Sequence, residues 1–297
     1  GMPLVVLMSG GASAAVEHLR DGYRTEEVMA ATEALLADGA PSEVINPVRA
    51  QWSQLKAGGA LRMAGARPVV LGVQSDVPKG QEAWVGSGPF DPGPFPADDR
   101  AETWFRRLFP QRVFRRLEPI ERNTQTVRIL MGDNEAILKT AAQIARREGL
   151  TSELYPEHIC HDVQQAAGEV ATLARTRAAD LLLFGGEPTV TLCEQPGRGG
   201  RMGMLALAYG LEQWPQPPPP LLAVASDGAD GHSRGAGAFW LPGPFDRALA
   251  EQALQQCDSD RFHRRHGRLL QLPHTQLNVR DLVMVLRRPD KVRGALA

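Results

Sequence analysis

The run Leu181-Leu-Leu-Phe184 ends in Gly185-Gly186-Glu187, and this abrupt passage from unbroken apolar residues to glycine and a carboxylate constrains the fold more than any other stretch. Four consecutive apolar residues describe a strand buried on both faces, and the glycines that follow permit the positive φ angles of a tight turn. The pattern recurs. Leu4 to Met8 ends in Ser9-Gly10-Gly11-Ala12-Ser13-Ala14, and Leu221 to Ala225 ends in Ser226-Asp227-Gly228-Ala229-Asp230-Gly231. Helical periodicity separates these strands, which predicts α/β architecture with ligand chemistry at the carboxyl ends of the strands.

The expected elements run in order. Strand Leu4–Met8 precedes helices over 14–20, over 25–38 (capped by Thr25 and stopped by Gly39) and over 48–62, the last weakened by Gly58-Gly59. Val69–Val73 is a strand, and Gly86–Pro96 a Gly- and Pro-rich loop. Asp98–Glu118 interleaves Arg106, Arg107, Arg112, Arg115 and Arg116 with Trp104, Phe105, Phe109 and Phe114, read as an amphipathic helix burying its aromatics rather than a nucleic-acid surface. Pro119–Asn123 marks the domain boundary. Strand Val127–Met131, helix Glu135–Glu148, short strand Glu153–Tyr155, helix Val163–Arg177, the central strand, alternation through Thr189–Leu192, helix Met202–Gln213, strand Leu221–Ala225 and strand Leu282–Leu286 follow. The fold class expected is two three-layer α/β/α domains with mostly parallel sheets, the first a shortened Rossmann-like domain over 2–118, the second over 119–297 with a mixed sheet.

Lys and Arg number 33 against 34 Asp and Glu, a net charge of −1, so nothing draws the whole chain to nucleic acid or an anionic membrane. No apolar run approaches the roughly 20 residues that cross a bilayer. Cys160, Cys193 and Cys257 follow no metal or disulfide spacing, which suits reduced thiols and a cytoplasmic setting. His158, Cys160 and His161 are too close together to close a tetrahedral metal site unaided. His263 and His266, within a run of arginines, read as a solvated helix face. No G-x-x-x-x-G-K-[ST] run occurs, and no G-x-G-x-x-G follows a strand.

Glycine turns present backbone N–H groups, and arginines beside them add forked donors, so these turns suit small anions. Candidate anion-binding residues are Ser9, Gly10, Gly11 and Ser13 in the first turn, Gly185, Gly186, Glu187 and Thr189 in the second, and Arg198, Gly199, Gly200 and Arg201 in the loop that opens the next helix. Lys56, Arg49 and Asp76 are expected to converge. Asp227 and Asp230 either hold a hydrated Mg²⁺ or shape their turn through side-chain bonds to backbone.

The motifs Ser9-Gly-Gly-Ala-Ser-Ala14, Asn46-Pro-Val-Arg49 with Lys56-Ala-Gly-Gly59, Ser75-Asp-Val77 with Ser87-Gly-Pro89, Gly132-Asp-Asn134, Gly185-Gly-Glu-Pro-Thr-Val190, Gly197-Arg-Gly-Gly-Arg201, Asp227-Gly-Ala-Asp-Gly231 and Asn278-Val-Arg-Asp-Leu282 together resemble the glycerate 2-kinase family with the MOFRL C-terminal domain, whose members often carry the hydroxypyruvate reductase label. The resemblance spans nearly the whole chain in order. It implies ATP- and Mg²⁺-dependent phosphorylation of glycerate or a related hydroxy acid, with Arg201 and Asp227 as catalytic residues, Asp227 also as the metal carboxylate, and Lys56, Asp76, Asn134 and Asn278 as substrate- or phosphate-binding contributors. The alternative is an inactive relative that binds a small anion or a protein partner; the absent dinucleotide fingerprint argues against a nicotinamide-dependent reductase.

The resemblance also implies a segment with a catalytic lysine ahead of the first turn, and hence a homodimer or a partner supplying that segment. Family polar residues are replaced by Met202-Gly-Met204, an acidic pair by Lys79-Gly-Gln-Glu82, and a threonine-rich turn by Pro273-His-Thr-Gln-Leu277. The turns at Gly10, Gly185 and Asp227 are expected to empty into one hollow.

Overall fold

The computed structural model describes residues 2–38, 40, 42–91, 99–115, 125–212 and 217–292. The chain divides into two compact units, 1–131 and 132–297. Gly39, Pro92–Pro96, Arg116, Glu118, the expected boundary at Pro119–Asn123, and Gln213 lie outside the described residues.

The first unit is built on β1 (Leu4–Ser9), α1 (Ala12–Ala15), α2 (Thr25–Ala37), α3 (Ser42–Trp52), α4 (Gly59–Ala64), β2 (Val69–Gln74), α5 (Asp99–Leu108) and β3 (Thr126–Gly132). The sheet order is β1-β2-β3, with β1 and β2 parallel from Leu4 opposite Val69 to Ser9 opposite Gln74. β3, expected to open the second domain, thus joins the first sheet. One sheet face packs Met8, Val69, Leu71 and Val73 against Leu61, Val85 and Phe90. The opposite face leaves Val5, Leu7, Val127, Ile129 and Met131 exposed, and Leu7 and Met131 close over Gly72, whose added Cβ would meet them at 2.9 and 2.6 Å.

Several helices differ from expectation. The helix over 14–20 is a single turn, because the backbone beyond Val16 is taken into bonds with the end of α3: Gln54 N–H donates to His18 O and Arg20 N–H to Trp52 O, both at 2.7 Å. The helix over 48–62 is broken into α3 and α4. Ala57 and Gly58 take φ of 50° and 76°, and a Cβ on Gly59 would lie 1.9 Å from Gln54 O, so the chain doubles back where only glycine fits. Thr25 is the first helical residue of α2 rather than its cap; Glu27 reaches back to the Arg24 N–H at 3.2 Å. α5 ends at Leu108, short of the expected span to Glu118; it buries Ala101 and Phe105 in an aromatic cluster with Trp52, and Phe109 joins that cluster from beyond the helix end.

The second unit comprises α6 (Asn134–Arg147), β4 (Ser152–Leu154), α7 (Val163–Thr176), β5 (Leu181–Gly186), α8 (Arg201–Leu211), β6 (Leu221–Ala225), β7 (Gly237–Trp240), α9 (Arg247–Gln255), α10 (Ser259–Arg265), β8 (Leu269–Leu270) and β9 (Asp281–Leu286). Its sheet runs β4-β5-β9-β6-β7-β8. β4, β5, β6 and β8 point one way, but β9 and β7 are reversed and interleaved, so among the described residues only the β4–β5 pairing is parallel. This is the mixed sheet expected of the second domain, and its pairings are mostly antiparallel because the late strand β9 enters between β5 and β6. The alternation Thr189–Leu192 forms only an isolated bridge of Thr189 to Asp162.

Helices cover both faces of this sheet, giving three-layer α/β/α architecture. α7 and α8 pack Val170, Leu205 and Tyr209 against Phe184, Ala223, Trp240 and Val283 on one face, and α6 presents Leu138 and Ala142 to Leu183, Val224 and Leu282 on the other. α8 is buried from Met202 to Leu211, so it needs apolar residues all round, and Met202 and Met204 supply them.

Candidate active site

In the second unit the carboxyl end of β5 sets the geometry. Gly186 takes φ 153° with its α-hydrogens against the Ile159 backbone; a Cβ there would lie 2.4 Å from Ile159 O. At Gly185 a Cβ would lie 1.7 Å from Asn134 Oδ1. Both glycines are thus required by close approach, and Asn134 is explained with them: its Nδ2 donates to Val279 O at 2.9 Å and Asp281 O at 3.0 Å, fastening the start of β9 beside β5.

β9 then places Asp281 opposite Gly186 on one side and Ala225 on the other. Arg201, at the start of α8, reaches this buried carboxylate with Nε at 2.5 Å and Nη2 at 3.3 Å, while its Nη1 lies 3.0 Å from Glu187. Burial drives the Asp281 carboxyl above the ordinary carboxylate range, with Arg201 drawing it back. Burial works to lower the Arg201 guanidinium, and Asp281 and Glu187 more than reverse this, so it is raised. Arg280, in the left-handed region at φ 71°, brings Nε to 3.9 Å from Glu187 and Nη1 to 3.2 Å from His158 Nδ1. Burial, then Arg280, lowers the His158 pKa and favours the neutral ring. Glu187, more than a third exposed, stands between two guanidiniums.

The remaining candidates of this unit fall into three groups. Asp230 is structural: buried, it accepts from Met202 N–H at 3.0 Å and Gly203 N–H at 2.8 Å, capping α8, while Gly200 lies against its backbone. Asp227 Oδ1 accepts from Ala229 N–H at 2.9 Å, its carbonyl from Thr275 N–H at 3.0 Å, and Asn278 Oδ1 from Arg280 N–H at 3.3 Å. Asp227 lies close enough to Asp230 to help raise that carboxyl, whose shift is led by burial. Arg198 is exposed, with its backbone tied to Asp258 and Asp260, Gly199 packs on Ser259, and Thr189 is exposed beside His161; none of these joins the Arg201 cluster through a side chain.

His263 corrects the solvated reading of its basic run. It is fully buried, its Nε2 2.8 Å from Gly203 O, and burial lowers its pKa to about 4. Among the described residues no group of three or more His, Cys, Asp or Glu is placed to hold a metal. One carboxylate such as Asp227 fits a Mg²⁺ carried mainly by phosphate oxygens and water, and does not fit a metal caged by protein.

In the first unit, Gly10 passes directly over the Asp76 carboxylate, where a Cβ would lie 1.6 Å from Oδ2. Ser13 Oγ meets Ser87 Oγ at 2.7 Å, Arg49 donates to Ser13 Oγ at 2.8 Å and to Ser13 O at 2.6 Å, and Ser87 Oγ donates to Asn46 at 3.0 Å. Ser9 precedes this turn, and Gly11 has open space around it. Lys56, also buried, ion-pairs with Glu17 at 2.8 Å, and Ser53 binds the other Glu17 oxygen at 2.5 Å. Burial lowers the Lys56 pKa, opposed by Glu17. Lys56, Arg49 and Asp76 were singled out in the sequence as converging; in the structure Lys56 meets Glu17, Arg49 meets Ser13 and Asp76 lies under Gly10, and Glu17 and Ser53 were not singled out. In the second unit sequence reasoning missed Arg280 and Asp281 as site residues, although an acidic residue opening an apolar strand was a readable signal for Asp281.

Residues 2–115 match a domain of unknown function, DUF4147, and residues 180–281 the MOFRL family. A hydroxypyruvate reductase-named protein of Agrobacterium vitis is 30% identical over 95% of this chain and 79% of its own length. The chain belongs to the glycerate 2-kinase family with a MOFRL C-terminal domain. Within the family, D-glycerate 2-kinase of Thermotoga maritima is 27% identical, covering 95% of this chain and 72% of its own. The human glycerate kinase is 29% identical over 96% of this chain and 67% of its own. The crystal structure of the Thermotoga maritima glycerate kinase superposes with a TM-score of 0.76 at 26% identity, covering 95% of this chain and 72% of that one. Among the described residues no helix is long and apolar enough to cross a membrane.

Proposed function

We propose that this chain is a divergent glycerate kinase-like phosphotransferase, moving the γ-phosphoryl group of ATP to a hydroxyl of glycerate or a related hydroxy acid. The observation that carries the reading is Arg201: two of its nitrogens are anchored on buried Asp281, and the third faces a partly exposed Glu187 that an incoming anion can displace. Phosphoryl transfer needs positioning and charge neutralisation more than covalent chemistry. Arg201, with Arg280 across Glu187, supplies fixed positive charge for a phosphate or carboxylate. Neutral His158 lies beside Arg280 and offers a hydrogen-bonding nitrogen.

Asp227 orients the attacking hydroxyl or takes one position on the Mg²⁺ that arrives with ATP, which neutralises phosphate charge. In the first unit the Ser9–Ser13 turn and Arg49 bind an anionic group, while Lys56, Asp76, Asn134, Gly185, Gly186, Gly199, Gly200 and Asn278 shape the backbone or hold the residues that do. Arg198 and Thr189 stand ready as exposed outer contacts. A cytoplasmic location fits such chemistry.

A coupled assay for ADP release across a panel of hydroxy acids tests the reading. Turnover that falls about 10²–10³-fold in R201Q supports it, the usual cost of one lost preorganised electrostatic contact. No turnover with any acid removes it. The second reading, an inactive relative that binds a small anion or a protein partner, is favoured by Met202 and Met204: where the family carries polar groups, this chain buries both side chains in its core. A thermal shift with nucleotide and Mg²⁺ but no turnover selects that reading.

A further inference from the structure

Thr191–Arg198 runs beside Gln256–Asp260, tied to it repeatedly. Cys257 Sγ donates to Thr191 O at 3.8 Å, Gly197 N–H to Gln256 O at 2.8 Å, Arg198 N–H to the Asp258 carboxylate at 3.1 Å, and Asp260 N–H to Arg198 O at 3.0 Å. Thr191, which Cys257 Sγ reaches, stands two residues before Cys193, and the Cys193 thiol lies within interaction range of Cys257. Cys257 is buried, Cys193 is half-buried against the same core cluster, and Cys160 is exposed. Cys257 also takes φ 51°, a left-handed conformation that a side-chain-bearing residue keeps only where its surroundings hold it.

We propose that Cys193 and Cys257 form a redox modification site, at which a peroxide-class oxidant converts the two thiols into a disulfide that ties the entry of the Gly197–Gly200 loop to the end of α9. The half-buried Cys193 meets the oxidant. Its thiolate attacks one oxygen of hydrogen peroxide, the O–O bond breaks, a first water leaves, and Cys193 becomes a sulfenic acid. The Cys257 sulfur then attacks the Cys193 sulfur, the S–O bond breaks, the S–S bond forms, and a second water leaves. The two sulfurs give up two electrons and one peroxide becomes two waters. Burial raises the Cys257 thiol, which suits it to the second step rather than the first. Bond formation does not depend on the phosphotransferase reading.

The test uses the folded full chain, treated with stoichiometric hydrogen peroxide, alkylated and digested. The expected result is one linked pair of peptides carrying Cys193 and Cys257, with Cys160 alone alkylated, reversed by dithiothreitol. C160S forms the same link, and C193S leaves Cys257 alkylatable after denaturation. Hydrogen exchange over residues 194–200 slows in the oxidised protein and recovers on reduction. The site is overturned if Cys193 and Cys257 are both alkylated after oxidation, or if the link forms only in denaturant; unchanged exchange overturns the tether.

Discussion

Arg201 and Asp281 join positions 80 residues apart, pairing the start of α8 with the first residue of β9. Breaking a buried ion pair by removing one partner typically costs about 3–5 kcal/mol, because a charge stays behind uncompensated. Arg201 is a third exposed and keeps Glu187, so D281N is expected at the low end, near 3 kcal/mol by urea unfolding, with loss of any turnover. His263 gives a pH signature. Its folded pKa of about 4 lies below the ordinary 6.5, so between those values the unfolded chain binds the proton and the folded chain does not. The His263 contribution is complete above pH 6.5 and falls by about 3 kcal/mol as pH drops to 4. Relative to wild type, H263Q is therefore expected to gain stability on acidification, read as the difference between two urea series. Asp281 works in the opposite sense over an overlapping range, since its raised pKa favours the folded state as pH falls, and the variant comparison separates the two.

α8 shows how closely an element is fitted to its neighbours. A Cβ on Gly210 would lie 2.2 Å from the Trp240 ring of β7. G210A improves helix propensity by about 1 kcal/mol, yet overpacking a rigid indole costs about 1–3 kcal/mol, so net destabilisation and a lower melting temperature are expected. Strands β2, β5, β6 and β9 were legible because apolar runs announce burial on their own; β1 was legible as a strand, but its run overstated burial, since Val5 and Leu7 stand exposed. β7 was not: no strand was expected over Gly235-Ala-Gly-Ala-Phe-Trp240, where Gly237 is pressed on the Ala223 carbonyl and a Cβ would lie 2.0 Å away. The break between α3 and α4 was hinted at by Gly58-Gly59, but its direction depends on contacts with Gln54. Asp230 was readable only as a choice between metal and turn, since its partners, two N–H groups of α8, lie more than 25 residues upstream.

Each unit carries its own core, one over α2, α3, α5 and the β1–β2 face, the other around α7, α8 and the six-stranded sheet. A fragment over 132–292 is therefore expected to unfold as one cooperative transition in calorimetry; a broad, non-cooperative melt would count against an independent core. In the first unit Val5 and Leu7 of β1 and Val127, Ile129 and Met131 of β3 are exposed apolar side chains on one side of the sheet. L7E with I129E is expected to reduce binding of a hydrophobic dye by the full chain without lowering its melting temperature, since both side chains are already in solvent.

β9 brings a consequence for biosynthesis. It is translated after every other strand of its sheet, yet it lies between β5 and β6 and pairs with both. Until it leaves the ribosome, the nascent polypeptide holds two apolar edges with an empty lane between them, open to invasion by any extended peptide nearby. Closure must wait until β9 itself has been made, so this sheet is expected to close late and all at once.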